Sequence, residues 1–283
     1  MDNKKLENKI KSINNYFLVK IIGKTYLKNK IFAINKIFNK NFRWVVITGG
    51  IHAREHLTCD LMCYFLERLK KIKSLPYNIS FVPLVNPDGA GLVLNGVKNL
   101  KQKAGLLAIN KSGDFSLYKA NARGVDLNNN FDANFDKNFS GIYRPSPHGY
   151  YGEKPFSERE TRALRDWTKK ISPFFTISYH LKGEEIYFDF FQDELRRERD
   201  KKIAEVFAKS TGYKIKSTQK CSSGGYKDWC VQKLKIPALT IEVGNDRFSH
   251  PFPKSELKQI CAQNKNIFKD ISAALKIFEK YNV

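Results

Sequence analysis

Apolar residues along this chain fall into short runs separated by polar turns, and the runs differ in kind. YFLVKIIG and KIFAINKI are β-rich and joined by a Lys/Asn-containing turn, which predicts a hairpin in an N-terminal helix-and-hairpin unit over 1–38. WVVITGG, 44–50, is nearly continuous in Val and Ile, as expected of a central strand covered on both faces. After it, Leu57, Leu61, Tyr64, Phe65, Leu69 and Ile72 recur at helical spacing, and Lys and Arg collect at the end, where they suit a helix dipole. ISFVPLVNPDG predicts a second buried strand, closed by a turn at Asn86-Pro87-Asp88-Gly89. Residues 95–122 carry several Lys and Gly and predict an irregular surface insertion. SERETRALRDWTKKI opens with Ser157 and Glu160 at capping-box spacing and predicts a helix. FFTISYH and IPALTIEVG are two more apolar strands, and a long amphipathic helix over 255–281 closes the chain. Strands alternating with helices predict one α/β domain over 1–283, with a mostly parallel central sheet flanked by helices.

The ends of these strands concentrate the chemistry. The predicted strands finish at His52, Asn86, His180 and Glu242, and in open α/β sheets ligands bind beyond the carboxyl ends of strands. Of the five histidines, His148 and His250 fall in predicted loops and receive no role. His52, Glu55 and His56 allow two zinc geometries. One places His52 and His56 as ligands a helical turn apart with Glu55 as base, which requires a regular helix through all of them. A strand and then Gly49-Gly50-Ile51 lead into His52, so the second geometry is favoured: His52 and Glu55 from a loop and helix start, with His180 as third ligand. Two histidines and one carboxylate, with a fourth position left open, make a catalytic zinc arrangement. Glu242, alone at the end of an apolar strand, suits proton transfer, because partial burial raises a carboxyl toward neutrality.

Composition narrows the setting. Hydrophobic residues make up 42% and aromatics 13%, an ordinary globular balance. The formal net charge of +22 reflects a Lys/Asn bias throughout the chain and favours an anionic partner. No basic stretch is interleaved with aromatics, which argues against nucleic acid. No apolar run approaches membrane-spanning length and the N-terminus shows no signal-like apolar segment, so the expectation is a cytoplasmic protein without a membrane partner. Five cysteines, at 59, 63, 221, 230 and 261, form no framework pattern and fit a reducing compartment. The oligomeric state is left open.

GGIHARE, NPDG, NARGVDLNNNF, SYH and IEVG fall in the order and rough spacing of the zinc carboxypeptidases, which this chain resembles from about residue 15 to its end. The resemblance implies a mixed sheet of about eight strands, one zinc ion on His52, Glu55 and His180, and Glu242 as general base and acid. It implies substrate binding by Arg54, and a basic residue that polarises the scissile carbonyl, matched by Lys119 with Arg123 as rival. Most family members read NRNF or NRNW where this chain has Asn128-Asn129-Asn130-Phe131. The Arg of that motif clamps a free C-terminal carboxylate, and Asn129 cannot form the bidentate charged pair. No Tyr stands about seven residues before Lys227 to cap the pocket. Tyr226 and Lys227, in SSGGYKDW, fall where the family sets side-chain preference, and a cation there favours an acidic group. With SYHLKGEEIYF, these features are most similar to bacterial γ-D-glutamyl-L-diamino-acid peptidases. The expected function is hydrolysis of the γ-D-glutamyl-diamino-acid bond in an anionic muropeptide, with Asn128, Arg54 and Lys227 positioning the peptide. The alternatives are a metallocarboxypeptidase trimming acidic C-terminal tails and, from another class, an inactive peptidase scaffold that binds nucleic acid.

Overall fold

The computed structural model of the protein describes residues 1–137, 139–217 and 222–281. The chain begins with α1 (Asn3–Ile13), the hairpin strands β1 (Leu18–Lys24) and β2 (Lys30–Lys36), then β3 (Trp44–Thr48) and α2 (Leu57–Leu69). It continues through β4 (Asn78–Val82), α3 (Pro87–Asn95), α4 (Lys103–Asn110), α5 (Arg159–Ile171), β5 (Phe175–Leu181) and β6 (Glu185–Tyr187). The remainder is α6 (Glu194–Thr211), β7 (Lys214–Lys216), α7 (Tyr226–Gln232), β8 (Ala238–Val243), α8 (Leu257–Gln263) and α9 (Ile267–Tyr281). One eight-stranded mixed sheet results, in the order β1-β2-β4-β3-β5-β8-β6-β7. Its centre, β4-β3-β5-β8, is parallel, while the hairpin and β6 join antiparallel.

Strand alternation decides where the chemistry points. Phe175, Ile177 and Tyr179 of β5 and Leu239, Ile241 and Val243 of β8 face one core, shared with α2, α6 and α9. Their neighbours of opposite parity, Ser178 and His180 on β5 and Thr240 and Glu242 on β8, therefore face the side covered by α5 and α7. His180 and Glu242 are register partners across the β5–β8 ladder, which brings them side by side. Each fully buried Phe, Ile or Leu in the core contributes about 1.5–3 kcal/mol.

Four expectations need correction. Asn86-Pro87-Asp88-Gly89 starts α3 rather than closing a turn: the Asn86 side chain accepts from Gly89 N at 2.8 Å, and Pro87 stands in the first helical turn. Residues 95–122 contain α4 and bury Leu106, Phe115, Tyr118 and Ala120 in a small core of their own, so this stretch is not merely irregular surface. The capping box at Ser157 and Glu160 does not form, because α5 starts one residue later and the Ser157 hydroxyl donates to Glu158 instead. The closing helix is two helices, interrupted at Asn264, whose side chain donates to the Ile260 carbonyl and the Tyr213 hydroxyl. Among the described residues no helix is long and apolar enough to cross a membrane.

Candidate metal centre and cleft

Sequence places the first two candidate ligands on a tight turn at the end of β3. Gly50 has φ +58°, and a Cβ there would lie 2.5 Å from the Leu84 side chain, so the chain can turn only with glycine. Asn86 then donates to the Ile51 and Ala120 carbonyls at 3.3 and 3.1 Å. Asn86 therefore anchors the loop and is not itself a ligand. His52 is extended and directly precedes a 3-10 turn, Ala53–Glu55, that leads into α2. His56 turns away: its Nδ1 lies 3.1 Å from the Met1 amino group, and burial together with that ammonium holds its pKa down at about 4. The geometry with His56 as ligand is therefore excluded.

His52, Glu55 and His180 converge. His52 Nδ1 lies 2.8 Å from Glu55 Oε1, His180 Nδ1 lies 3.1 Å from Glu55 Oε2, and the two Nδ1 atoms are 3.1 Å apart. Ligand atoms of the three residues all lie within 4.8 Å of one another, the one such His/Cys/Asp/Glu group among the described residues. The outer nitrogens fix the orientation. His52 Nε2 lies 3.3 Å from Asp126 Oδ1, an ion-pair contact without hydrogen-bond geometry, and the carboxylate there favours a proton on Nε2 and leaves Nδ1 to face Glu55 and His180. His180 Nε2 lies 3.1 Å from the Ser178 hydroxyl, to which Thr48 also donates. Burial alone would raise the Glu55 carboxyl, yet the two imidazoles hold it well below the usual carboxylate range. Two imidazole nitrogens at contact distance beside a buried carboxylate need either a shared proton or a cation. The N2O donor set, with Asp126 beyond His52 and Ser178 beyond His180, fits zinc.

Around this cluster stand the proton-carrying and charged groups. Burial pushes Glu242 up to about 8, with His180 opposing and Glu55 adding to the effect. Lys119 Nζ lies 3.1 Å from Asp126 Oδ2, and its backbone carbonyl accepts from Ala53 N at 3.0 Å. Burial would lower the Lys119 ammonium, but Asp126 and Glu55 outweigh it and hold its pKa up. Arg123 goes elsewhere: the Asn121 side chain ties the turn at Arg123 N and Val125 N, and Arg123 Nε is exposed, 3.8 Å from Glu158. Of the two rival residues, Lys119 stands beside the cluster and Arg123 does not. Arg54 is half-buried, its Nη1 donating to the Leu117 carbonyl at 3.5 Å.

Beside Glu242 lies a cleft of about 290 Å³, lined by Asn128, Tyr187, Lys227, Asp228 and Thr240 among others. Gly224 packs against Asn129 with φ +70°, where a Cβ would meet the Asn129 carbonyl at 2.2 Å. Asn128 Oδ1 accepts from Tyr226 N at 3.0 Å, and Asn129 sits half-buried. Tyr226 does not reach the cleft: it is fully buried, its hydroxyl 2.8 Å from that of Thr168 and its ring against Phe131 and Trp229. Nor is Lys227 a lone cation. Its Nζ lies 2.6 Å from Asp228 Oδ1 and donates to the Asp189 carbonyl at 2.7 Å, over the ring of Phe190. The position expected for a capping Tyr, and Cys221, lie outside the described residues.

Three groups escaped the sequence reading. Asp126 links His52 to Lys119, and Asp228 neutralises Lys227. His250 comes from a loop to lie against Leu181, near Arg54 and Glu55, its Nδ1 buried without a hydrogen-bond partner. Asp228, adjacent in sequence to Lys227, was the one with a readable signal.

The zinc carboxypeptidase family profile matches residues 4–267. Gamma-D-glutamyl-L-diamino acid endopeptidase 1 of Lysinibacillus sphaericus is 34% identical over 238 residues, 78% of this chain and 59% of that relative, so this chain spans less than two thirds of its length. Murein peptide amidase A of Escherichia coli K12 is 29% identical over 155 residues, 51% of this chain and 59% of the relative. In fold, bovine thrombin-activatable fibrinolysis inhibitor, solved in complex with tick carboxypeptidase inhibitor, superposes with a TM-score of 0.73 at 19% identity, over 100% of this chain and 98% of that one. With the same five blocks carrying the ligands, the strand ends and the cleft, the chain belongs to the zinc carboxypeptidase family, a family of metallopeptidases.

Proposed function

We propose that this peptidase hydrolyses the bond between γ-linked D-glutamate and the diamino acid of peptidoglycan stem peptides. The observation that carries the reading is the makeup of the cleft beside Glu242. Asn129 stands where most family members have the Arg that clamps a C-terminal carboxylate. Among the described lining residues the one cation, Lys227, is already engaged by Asp228 and the Asp189 carbonyl. A substrate that must present a free terminal carboxylate therefore lacks the bidentate partner that carboxypeptidase action uses. An internal, γ-linked bond makes no such demand. One relative, from L. sphaericus, is by name a gamma-D-glutamyl-L-diamino acid endopeptidase and another, from E. coli, is by name a murein peptide amidase, which supports the reading. The net charge of +22 favours encounter with muropeptides, which carry several carboxylates.

His52, Glu55 and His180 would hold one zinc ion, which when bound supplies Lewis acidity to the site. Glu242, with its pKa near 8, takes a proton from the attacking water and returns it to the leaving amine. Lys119 faces the developing negative charge on the carbonyl oxygen, and Asp126 keeps its ammonium in place. Arg54 and Asn128 orient the peptide on either side of the scissile bond.

The test is a substrate comparison. The zinc-loaded protein should cleave L-Ala-γ-D-Glu-diaminopimelate faster than α-linked peptides with acidic C-terminal tails. The reverse order would favour the carboxypeptidase reading and sink this one.

A further inference from the structure

A second concavity opens at the far end of the sheet from the metal centre. His52 and His180 stand at the carboxyl ends of their parallel strands, whereas Trp44 is the first residue of β3 and Ile171 the last of α5. Trp44, Trp167, Ile22 and Ile171 wall a groove of about 440 Å³ there, between the β1–β2 hairpin and the last turn of α5. Leu18, Ile21 and Ile37 also line it, and each is about half exposed. Single apolar residues scattered over a surface need no explanation, but apolar and aromatic residues gathered in one groove of this size mark a binding site.

Polar groups at the groove narrow the ligand. Asn35 forms part of its wall and is 2% exposed. Its Nδ2 donates to the Leu18 carbonyl at 2.8 Å and to the Ala33 carbonyl at 3.4 Å, which fixes the direction of the amide and leaves Oδ1 without a hydrogen-bond partner. A buried acceptor left in this way is costly, and a ligand N–H relieves it. Lys20 and Lys170 supply positive charge at the same groove. Lys20 has no ion pair among the described residues, and Lys170 Nζ lies 5.9 Å from the centre of the Trp167 ring. Asp166, the one acid among the lining residues, is already held by Arg165 at 2.8 Å. A second copy of this chain is a poor occupant, because each copy carries a net charge of +22 and would bring like charge to Lys20 and Lys170.

We propose that this groove binds a small amphipathic acid, with an apolar body against Trp44 and Trp167, an N–H donor for Asn35 Oδ1 and a carboxylate at Lys20 and Lys170. The site is separate from the peptidase centre and does not depend on the reaction proposed for that centre.

Indole-3-acetate carries all three groups and serves as the probe. It is titrated into ¹⁵N-labelled protein while the indole N–H signals of the three tryptophans are followed. Those of Trp44 and Trp167 should shift together and saturate at about 1 mM or below, while that of Trp229, buried against Phe131 and Tyr226, stays in place. 1-Methylindole-3-acetate lacks the N–H and should bind ~5-fold or more weakly. The methyl ester of indole-3-acetate lacks the charge and should bind about 2–5-fold more weakly, and Lys20→Gln, on an exposed side chain, should weaken the parent probe to a similar extent. Unmoved Trp44 and Trp167 signals, an equal shift of Trp229, or equal affinity for the N-methyl analogue would overturn the proposal. Sedimentation showing a dimer that Ile21→Glu splits would also overturn it, because a second copy would then cover the groove.

Discussion

Asp126 is the most informative single residue to change, because it touches both halves of the site. Its Oδ1 lies 3.3 Å from His52 Nε2, its Oδ2 lies 3.1 Å from Lys119 Nζ, and the carboxylate is fully buried. Burial alone would raise its pKa, but Lys119 and His52 hold it far below the usual carboxylate range. Asp126→Asn keeps the shape and the acceptor for Gly149 N, which now lies 3.2 Å from Oδ2, but removes the charge that fixes the His52 tautomer. His52 Nε2 and Asp126 Oδ1 meet as an ion-pair contact without hydrogen-bond geometry, and loss of such an outer partner to a metal-binding histidine costs about 10–100-fold in zinc affinity. Competition against a fluorescent zinc chelator measures the change directly. The kcat of the zinc-saturated variant should fall as well, since Lys119 loses the same partner. If Asp126→Asn binds zinc within threefold of wild type, Asp126 does not orient His52, and the description of the centre is wrong.

Two further predictions concern separate parts of the molecule. Lys119→Met should lower kcat/KM by ~10²-fold or more, as for loss of an electrostatic donor, whereas Arg123→Ala, on an exposed side chain directed at Glu158, should change it by less than threefold. Steady-state assays of both would reverse the choice between them if Arg123 proved the more sensitive. Glu160 is buried, neither of its carboxyl oxygens has a hydrogen-bond partner, and burial followed by repulsion from Asp88 raises its pKa to about 8. The folded state thus binds this proton more tightly than the unfolded chain, so the stability it contributes is present below about pH 4.5 and is lost as pH rises through 8. Glu160→Gln should therefore raise the melting temperature at pH 8.5, by an amount on the order of a few kcal/mol in stability, and change little at pH 5. Equal effects at the two pH values would show that Glu160 is not held protonated.

The parts of this protein legible from sequence share a physical cause. Strands β3, β5 and β8 lie in the middle of a parallel sheet, buried on both faces, so they read as unbroken apolar runs, and the ionisable residues that end them mark the site. His52, Glu55, His180 and Glu242 were found this way. Short or polar elements left no such trace. The three-residue strands β6 and β7 are below the length at which alternation can be seen, and α6 buries only a few apolar residues, Ile203, Ala204 and Phe207 among them, in a strongly charged helix. At Asn86-Pro87, the same residues that favour a turn also cap a helix and occupy its first position, and only the tertiary bonds to Ile51 and Ala120 decide between the two. Charge partners were the least legible. Lys227 reads as a cation in the sequence, yet the folded side chain is paired with its own neighbour, Asp228.

The central claim is tested most directly by the products formed from one substrate in isotopic water. L-Ala-γ-D-Glu-meso-diaminopimelate is incubated with the zinc-loaded protein in H2¹⁸O beside Glu242→Gln, and the products are read by mass spectrometry. The account predicts L-Ala-D-Glu carrying one ¹⁸O together with free diaminopimelate, at a rate reduced about 10²–10⁴-fold in the variant while its zinc content is unchanged. An intact peptide with the wild-type protein, or equal rates for both proteins, would contradict it.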